Sequence, residues 1–359
     1  MQRIRFGIVG AGMMAREHIR NVALVDDAEV VALADPAASS LDAAVAQLGS
    51  APAPALYASA EQLARADIDA VIVSSPNFTH RRVLEPLFER GLHVLCEKPV
   101  ATTIADGRWI VEAAAASRGV FWTAMEYRYM PPIAAFIDDI HAGKIGRLVM
   151  LSIREHRFPF LVKVGDWNRF NRNTGGTMVE KCCHFFDLMR LIVKSEAVRV
   201  YCSGAMDINH RDELYDGEQP DIIDNSFTIV DFANGVRAML DLSMFAEGAQ
   251  EQEALSAVGD QAKLEAFIPS GDVVHSPRVP LRAPKQVTRR HVAVDAAALS
   301  AGTHHGSVYY QLQAFLAAVR GEGAVQVTAE DGLRAIAVGV AAEMSAREKR
   351  AVELVELGF

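Results

Sequence analysis

The chain has 359 residues, half of them hydrophobic and 23% charged, with a formal charge of −9 at pH 7. That length implies two domains, and the acidic balance excludes nucleic acid and anionic membrane as partners, since both demand a basic face. No run of about 18 apolar residues occurs, so no membrane span is expected.

Cys96, Cys182, Cys183 and Cys202 form no CxxC pair, which makes a reducing cytoplasm the simplest setting. Arg3 and Arg5 precede an apolar run that breaks at once into glycines, a strand and turn rather than a signal peptide. The strand is Ile4 to Val9. Gly10-Ala11-Gly12-Met13-Met14-Ala15 follows it directly, and Ala15 to Val25 carries apolar side chains at helical spacing. In this strand–turn–helix context the glycine pattern reads as a dinucleotide fingerprint. Gly10 permits the tight turn, Gly12 lets backbone approach a pyrophosphate, and the helix start offers unpaired N–H groups to phosphates. A strand–helix turn that needs glycine for geometry alone is the plainer alternative.

A second strand, Val30 to Ala34, ends at Asp35, close to the spacing of roughly 20 residues expected of a ribose-binding acid. Pro36 to Ser39 supplies no cation for a 2′-phosphate, so NAD is expected over NADP. Ser39 or Ser40 is expected to cap a helix through Leu48, Ala51–Ala55 to form a loop, and Leu63 to Ala66 to close another helix. Ala70 to Val73 is apolar throughout, as a central parallel strand should be. It runs into Ser75-Pro76-Asn77 and His80, at the strand end where open α/β sheets bind ligands. Thr79 is expected to cap a helix from His80 to Arg90, and Gly91 to stop it.

The strand His93 to Cys96 leads into Glu97-Lys98-Pro99. A lysine there points into the crevice above the sheet, and Pro99 admits a cis bond. A solvated surface charge is the bland reading of Lys98. After the strand Val120 to Thr123, Met125 to Pro132 exits toward a helix from Ile133 to Ala142.

Beyond Leu148 the texture changes to longer strands that alternate apolar and polar residues: 197–203, 225–232, 237–244 and 253–258. With the Asn234-Gly235 hairpin signal, they predict an antiparallel sheet with one face covered and one free for subunit contact. The basic, proline-rich stretch 278–293 reads as loop or edge strand. Helices are expected over Val308–Arg320 and Ala329–Ser345, the latter capped by Thr328. The fold class is therefore α/β: an N-terminal doubly wound parallel sheet over 1–124, then an α+β domain with a large open, mostly antiparallel sheet over 125–359.

A second charged constellation follows Trp167 and Arg169. A helix starting near Thr177 would place Glu180, His184 and Asp187 on one stripe. Three ionisable groups beside Met178, Phe185 and Leu188 are unusual for a core helix. A capped helix whose His184 is satisfied by Glu180 is the bland account. Zinc would need three or four convergent ligands, while Cys182 and Cys183 face different directions. A cysteine nucleophile finds no oxyanion feature to support it.

Taken together, Gly10–Ala15, Ser75-Pro76-Asn77 with His80, Glu97-Lys98-Pro99, Tyr127-Arg128, Trp167 with Arg169, and Gly175-Gly176…His184…Asp187 resemble the Gfo/Idh/MocA family of NAD(P)-dependent oxidoreductases. The resemblance extends to the helix start at Thr328–Gly332. It implies a Rossmann domain, then an α/β domain whose open sheet pairs subunits into a homodimer or homotetramer. It also implies oxidation of a sugar, cyclitol or related polyol, or the reverse reduction.

By the same resemblance Lys98 and His184 are the catalytic lysine and histidine. Glu180 stands where inositol dehydrogenase-like members carry aspartate, which adds one methylene. Gly10, Gly12, Met13, Met14, Asp35, Ser75, Asn77, His80, Glu97, Lys98, Trp167 and Arg169 are expected to meet NAD. Lys98, Tyr127, Arg128, Glu180, His184 and His305 are expected to meet substrate, with His304 and Tyr309 nearby. No metal is expected. His184 would take the hydroxyl proton and Lys98 would steady the developing alkoxide, the two converging over the nicotinamide. An NAD-dependent glycosidase and a non-catalytic NAD sensor are the competing readings.

Overall fold

The computed structural model describes residues 3–49 and 52–359, so Ala51 of the expected loop lies outside the described residues. The chain forms two compact units, Met1–Tyr129 with Asp295–Ile336, and Met130–Val294 with Ala337–Phe359.

In the first unit, β1 (Ile4–Val9), α1 (Met13–Val22), β2 (Ala28–Ala34), α2 (Ala38–Leu48), β3 (Ala55–Tyr57), α3 (Ala60–Leu63), β4 (Ala70–Val73), α4 (His80–Arg90), β5 (His93–Glu97), α5 (Ile104–Ala116) and β6 (Phe121–Ala124) alternate strictly. All six strands are parallel, in the order β3-β2-β1-β4-β5-β6. The order reverses between β1 and β4, which makes the carboxyl ends of those strands the expected ligand crevice. β4 and β6 are buried at every position, because helices cover both faces of a parallel sheet.

In the second unit come α6 (Pro131–His141), β7 (Leu148–His156), α7 (Asn171–Thr174), α8 (Thr177–Glu180), α9 (Cys183–Val193), β8 (Ala197–Ala205), β9 (Asn225–Phe232), β10 (Arg237–Ser243), β11 (Glu253–Gly259), β12 (Ala262–Ile268), β13 (Asp272–Pro277) and β14 (Thr288–His291). The chain re-enters the first unit through α10 (Ala296–Ser300) and α11 (Ser307–Val319). It then runs along α12 (Ala329–Glu348) to β15 (Val352–Glu353). The nine-stranded sheet has the order β14-β13-β12-β11-β7-β10-β9-β8-β15. It is antiparallel except where β7 pairs with β10 in parallel. Burial alternates along β10 and β12, which gives one covered face and one open face. Asn234-Gly235 does form the hairpin, with Gly235 at φ 85° and Asn234 Oδ1 accepting from Val236 N at 3.2 Å.

Several expectations need correction. The boundary after residue 124 captures only the first crossing between units. Residues 295–336 return to the first unit because α11 presents Val308, Leu312, Phe315 and Leu316 as one buried stripe. Phe315 meets Phe6 and Trp122 with ring centroids 6.2 Å apart in both cases. Burying such a ring stabilises by about 1.5–3 kcal/mol, one contribution among those of the buried stripe that holds this late helix on the first unit. Ser39 and Ser40 lie inside α2 rather than before it. The turn is held instead by Asp35, whose Oδ1 accepts from Ala37 N at 2.8 Å. Thr79 makes no cap to α4, since its hydroxyl donates to Pro76 O at 2.7 Å.

Candidate active site

The turn after β1 is built to hold a phosphate. Gly10 has φ +87°, and a β-carbon there would sit against the Ser75 backbone, 2.5 Å from Cα. Only glycine fits so close a crossing of β1 and β4. Gly12 is different: a β-carbon added there meets no atom within 4 Å. Backbone faces open space at that point, ahead of Met13 and Met14 at the start of α1, whose N-terminus carries no side-chain cap. Asp35 ends β2 with Oδ2 accepting from Ala11 N at 2.8 Å, so its carboxylate is fixed at the edge of the same turn.

The β4 end completes this side. Ser74 Oγ donates to Gly10 O at 2.7 Å, which ties the two turns together. Ser75 Oγ lies 2.8 Å from Thr79 Oγ1 and donates to it, since the Thr79 hydrogen is committed to Pro76 O. Asn77 is buried, yet its Nδ2 has no hydrogen-bond partner among the described residues. A buried amide donor without an acceptor costs about 1–3 kcal/mol, the mark of a group that waits for a ligand. These features fit a dinucleotide cofactor. His80 does not face the crevice. It is fully buried, with Nε2 3.1 Å from Ser75 O and Nδ1 3.3 Å from Val100 O, and burial pushes its pKa down. It braces the turn after β4 against the segment after β5.

Lys98 follows β5 directly, and its bond to Pro99 is cis. The neighbouring Glu97 is turned inward, with Oε1 2.7 Å from His18 Nε2 and Oε2 accepting from Lys98 N at 3.3 Å. Glu97 is thus held in a buried partnership with α1. Burial works to raise its pKa. The His18 hydrogen bond and the charges of His18, Lys98 and His304 outweigh that and hold it below the ordinary carboxylate value. Glu126 behaves in the opposite way. Burial and then the Glu97 charge push it up to about 7, against His304 and Lys98. His304 Nδ1 lies 2.8 Å from Glu17 Oε1, whose pKa falls because that contact outweighs its desolvation. Lys98 thus acts on two buried acids whose pKa values are shifted in opposite directions, Glu97 down and Glu126 up.

His18 was missed by sequence reasoning, although it sits on the buried stripe of α1 with Ala15, Ile19 and Val22. A polar residue on an apolar stripe was the available signal. Arg128 has partners within the first unit. Its Nη1 donates to Gln326 O at 2.8 Å and its Nη2 lies 3.8 Å from Asp331, so it anchors the segment before α12. Tyr127 is buried beside it. His305 is partly buried at φ 50°, and burial and then His304 lower its pKa.

In the second unit, Gly175 (φ 80°) ends α7 and Gly176 (φ 96°) starts the turn into α8. A β-carbon on Gly176 would strike the Glu343 carboxyl and lie 2.8 Å from its Cγ. That carboxyl, Oε1, accepts from Met178 N at 2.9 Å and so supplies the cap that the turn lacks. Glu180, His184 and Asp187 are all buried, but not on one helix. α8 stops at Glu180 and α9 starts at Cys183, so the expected single stripe is two short faces joined at Lys181-Cys182.

Burial pushes the Cys182 thiol well up, which removes it as a nucleophile. Among the described residues no group of three or more His, Cys, Asp or Glu is arranged to hold a metal ion. Arg169 is engaged within its own unit: Nε donates to Glu213 Oε2 at 3.0 Å, an oxygen that also accepts from Tyr215 OH at 2.7 Å. Trp167 is half-buried, and its carbonyl accepts from Asn173 Nδ2 at 2.9 Å. An open depression of about 320 Å³ at the β8–β9–β10 end of the sheet, lined by Arg199, Asp231, Arg237 and Glu353, contains none of the expected site residues.

Comparison with known proteins bears on both units. Residues 4–125 match the family model described as oxidoreductase family, NAD-binding Rossmann fold. Residues 137–354 match the C-terminal alpha/beta domain of the same oxidoreductase family. The rhizopine catabolism protein MocA of Rhizobium meliloti is 29% identical over 196 residues, an alignment that spans 55% of this chain and only 59% of MocA. Inositol 2-dehydrogenase of Rhizobium meliloti (strain 1021) is 25% identical over 358 residues, covering 98% of this chain and 99% of that enzyme. The solved structure of levoglucosan dehydrogenase in complex with NADH superposes with a TM-score of 0.85 at 20% identity, covering 98% of this chain and 99% of that one, which speaks to the fold alone.

Proposed function

As the chain belongs to the Gfo/Idh/MocA oxidoreductase family, we propose that it transfers a hydride between NAD and a secondary alcohol of a sugar, cyclitol or related polyol. The observation that carries this is the match of both family domains along one chain whose first unit has an open, uncapped glycine turn beside a fixed Asp35. The relative named for inositol supports the substrate class. Bound NAD supplies the hydride acceptor. The residues that would hold it are Gly10, Gly12, the N–H groups of Met13 and Met14, Asp35, Ser75 and Asn77.

The protein's own part is proton and charge handling. A secondary alcohol that loses hydride must lose its hydroxyl proton as well. His184 takes that proton, since imidazole exchanges protons near neutral pH. Lys98 donates a hydrogen bond to the same oxygen and stabilises the charge that develops there. Glu180 orients His184 or holds a neighbouring hydroxyl, and its extra methylene relative to aspartate changes which hydroxyl it reaches.

A screen of inositols, aldoses and anhydro sugars should show NADH formation with at least one of them. Asp35 repels a 2′-phosphate, so kcat/KM with NAD should exceed that with NADP by about tenfold or more, ~1.4 kcal/mol. Hydrolysis of a nitrophenyl glycoside without net NADH would replace this reading with the glycosidase one. Subunits pair as a homodimer or homotetramer through the open sheet face, where Tyr201, Phe227, Ile229 and Met150 are exposed. Sedimentation that finds only monomer at micromolar concentration removes that assignment. The four buried free cysteines suit a reducing cytoplasm.

A further inference from the structure

The covered face of the nine-stranded sheet holds a charged group that the proposed chemistry leaves unused. Glu155 on β7 and Glu253 on β11 stand directly opposite each other in the antiparallel ladder, so both side chains project from one face at close range. Both are fully buried. Glu155 Oε1 lies 2.9 Å from Lys181 Nζ and accepts from Arg157 Nη1 at 3.3 Å, while Glu253 Oε1 accepts from Gln252 Nε2 at 2.6 Å. The Oε2 of each has no hydrogen-bond partner among the described residues. Two ionised carboxylates this close would repel each other in a dry site and leave both oxygens unmet. A proton on Glu253 removes one of the two charges. Burial and then the Glu155 charge push Glu253 up to about 7, with Lys181, Gln252 and Arg157 pulling the other way.

Lys181 connects this pair to the candidate site. It occupies the break between α8 and α9, is itself almost wholly buried, and separates Glu180 from His184 in sequence. A helix that ran on through Lys181 would turn its side chain with the helical register. Lys181 keeps right-handed helical backbone angles (φ −97°, ψ −47°), and its ion pair to the sheet holds the side chain in one direction. We propose that Glu253 keeps a proton beside Glu155, and that Lys181, drawn onto Glu155, fixes the turn between α8 and α9 and so the directions in which Glu180 and His184 leave the chain. The inference rests on the reading of His184 as the base. Lys181, Glu155 and Glu253 are positioning residues, since none is assigned contact with substrate. Ionisation of the pair places a second negative charge beside Lys181 and redraws its position, so kcat should fall above neutral pH.

Two readouts separate this inference from the proposed activity. Infrared spectra of the full-length protein at neutral pH should show a protonated-carboxyl C=O band that Glu253→Gln weakens; an unchanged band overturns the proton on Glu253. In turnover, Glu253→Gln keeps a donor toward Glu155 but cannot ionise, so the alkaline fall in kcat should disappear. Lys181→Met should lower kcat by at least about tenfold with NAD affinity unchanged, and Lys181→Arg should restore most of it. Wild-type kcat in Lys181→Met overturns the positioning role. If that variant does not fold, an alkaline limb that persists in Glu253→Gln overturns it. If no alcohol is oxidised by the wild type, the activity falls while the infrared band still decides the proton on Glu253.

Discussion

Replacing His184 with alanine is expected to lower kcat by about 10²–10⁴ while the affinity for NAD stays as it was, because a lost general base typically costs that much in rate. Lys98→Ala should cost a comparable factor, since a preorganised donor aimed at a developing oxyanion is worth about 10²–10³. The fixed Asp35, the open Gly12 and the orphan Asn77 amide lie in the first unit, and His184 in the second. Removing the imidazole therefore leaves the cofactor cradle intact. Lys98 belongs to the first unit, but its replacement also takes a positive charge from between Glu97 and Glu126. Glu126 should then hold its proton more firmly, and the pH profile of the residual activity should shift with it. Turnover at the wild-type rate in either variant would remove that residue from the chemistry. Lost NAD binding in His184→Ala would instead mean that its role is structural.

The first unit was largely legible in the sequence, because its signals are local. Gly10 and Gly12 lie within one turn, Asp35 ends a strand, and the apolar runs 70–73 and 93–96 have the length and composition of central strands. The partners of buried charges were not legible, because they come from far along the chain. Glu97 meets His18 across 79 residues, and Arg128 meets Gln326 across 198. A charge in a sequence announces that it needs a partner without saying where the fold will supply one. Arg169 is the same case: its motif pointed outward to a cofactor, and Glu213 engages it first. The break at Lys181-Cys182 escaped for another reason. Helical spacing continues unbroken through those residues, and the tertiary contacts beside the break, Met178 N to Glu343 and Lys181 to Glu155, leave no local signal. Residues 295–336 likewise read as a continuation of the second domain until Phe315 finds Phe6 and Trp122.

Raising the pH from about 5 to about 8 should destabilise the wild-type protein relative to a Glu343→Gln variant, by up to roughly 3 kcal/mol. Glu343 is buried behind Gly176, and burial is the main reason its carboxyl is pushed up to about 7, from 4.5 in the open chain. The Asp221 charge adds to this, and the Met178 hydrogen bond and Arg347 oppose it. Between those two values the folded state binds a proton that the unfolded chain has released, so stability falls as pH rises through the window. Above about 7 both states are ionised and the full loss has been taken. Glu126 and Glu253 slope the same way, while the depressed carboxyls Glu17 and Glu97 add stability that is present above about 4.5 and lost on acidification. The wild-type curve is therefore a sum of opposing slopes, and only the difference from the variant isolates one carboxyl. Glutamine keeps the acceptor for Met178 N and has no proton to lose, so α8 should still start where it does. Urea denaturation of both proteins at the two pH values measures the difference directly. Parallel curves would mean that Glu343 is ionised in the folded state at neutral pH, and that the turn at Gly176 tolerates a buried charge.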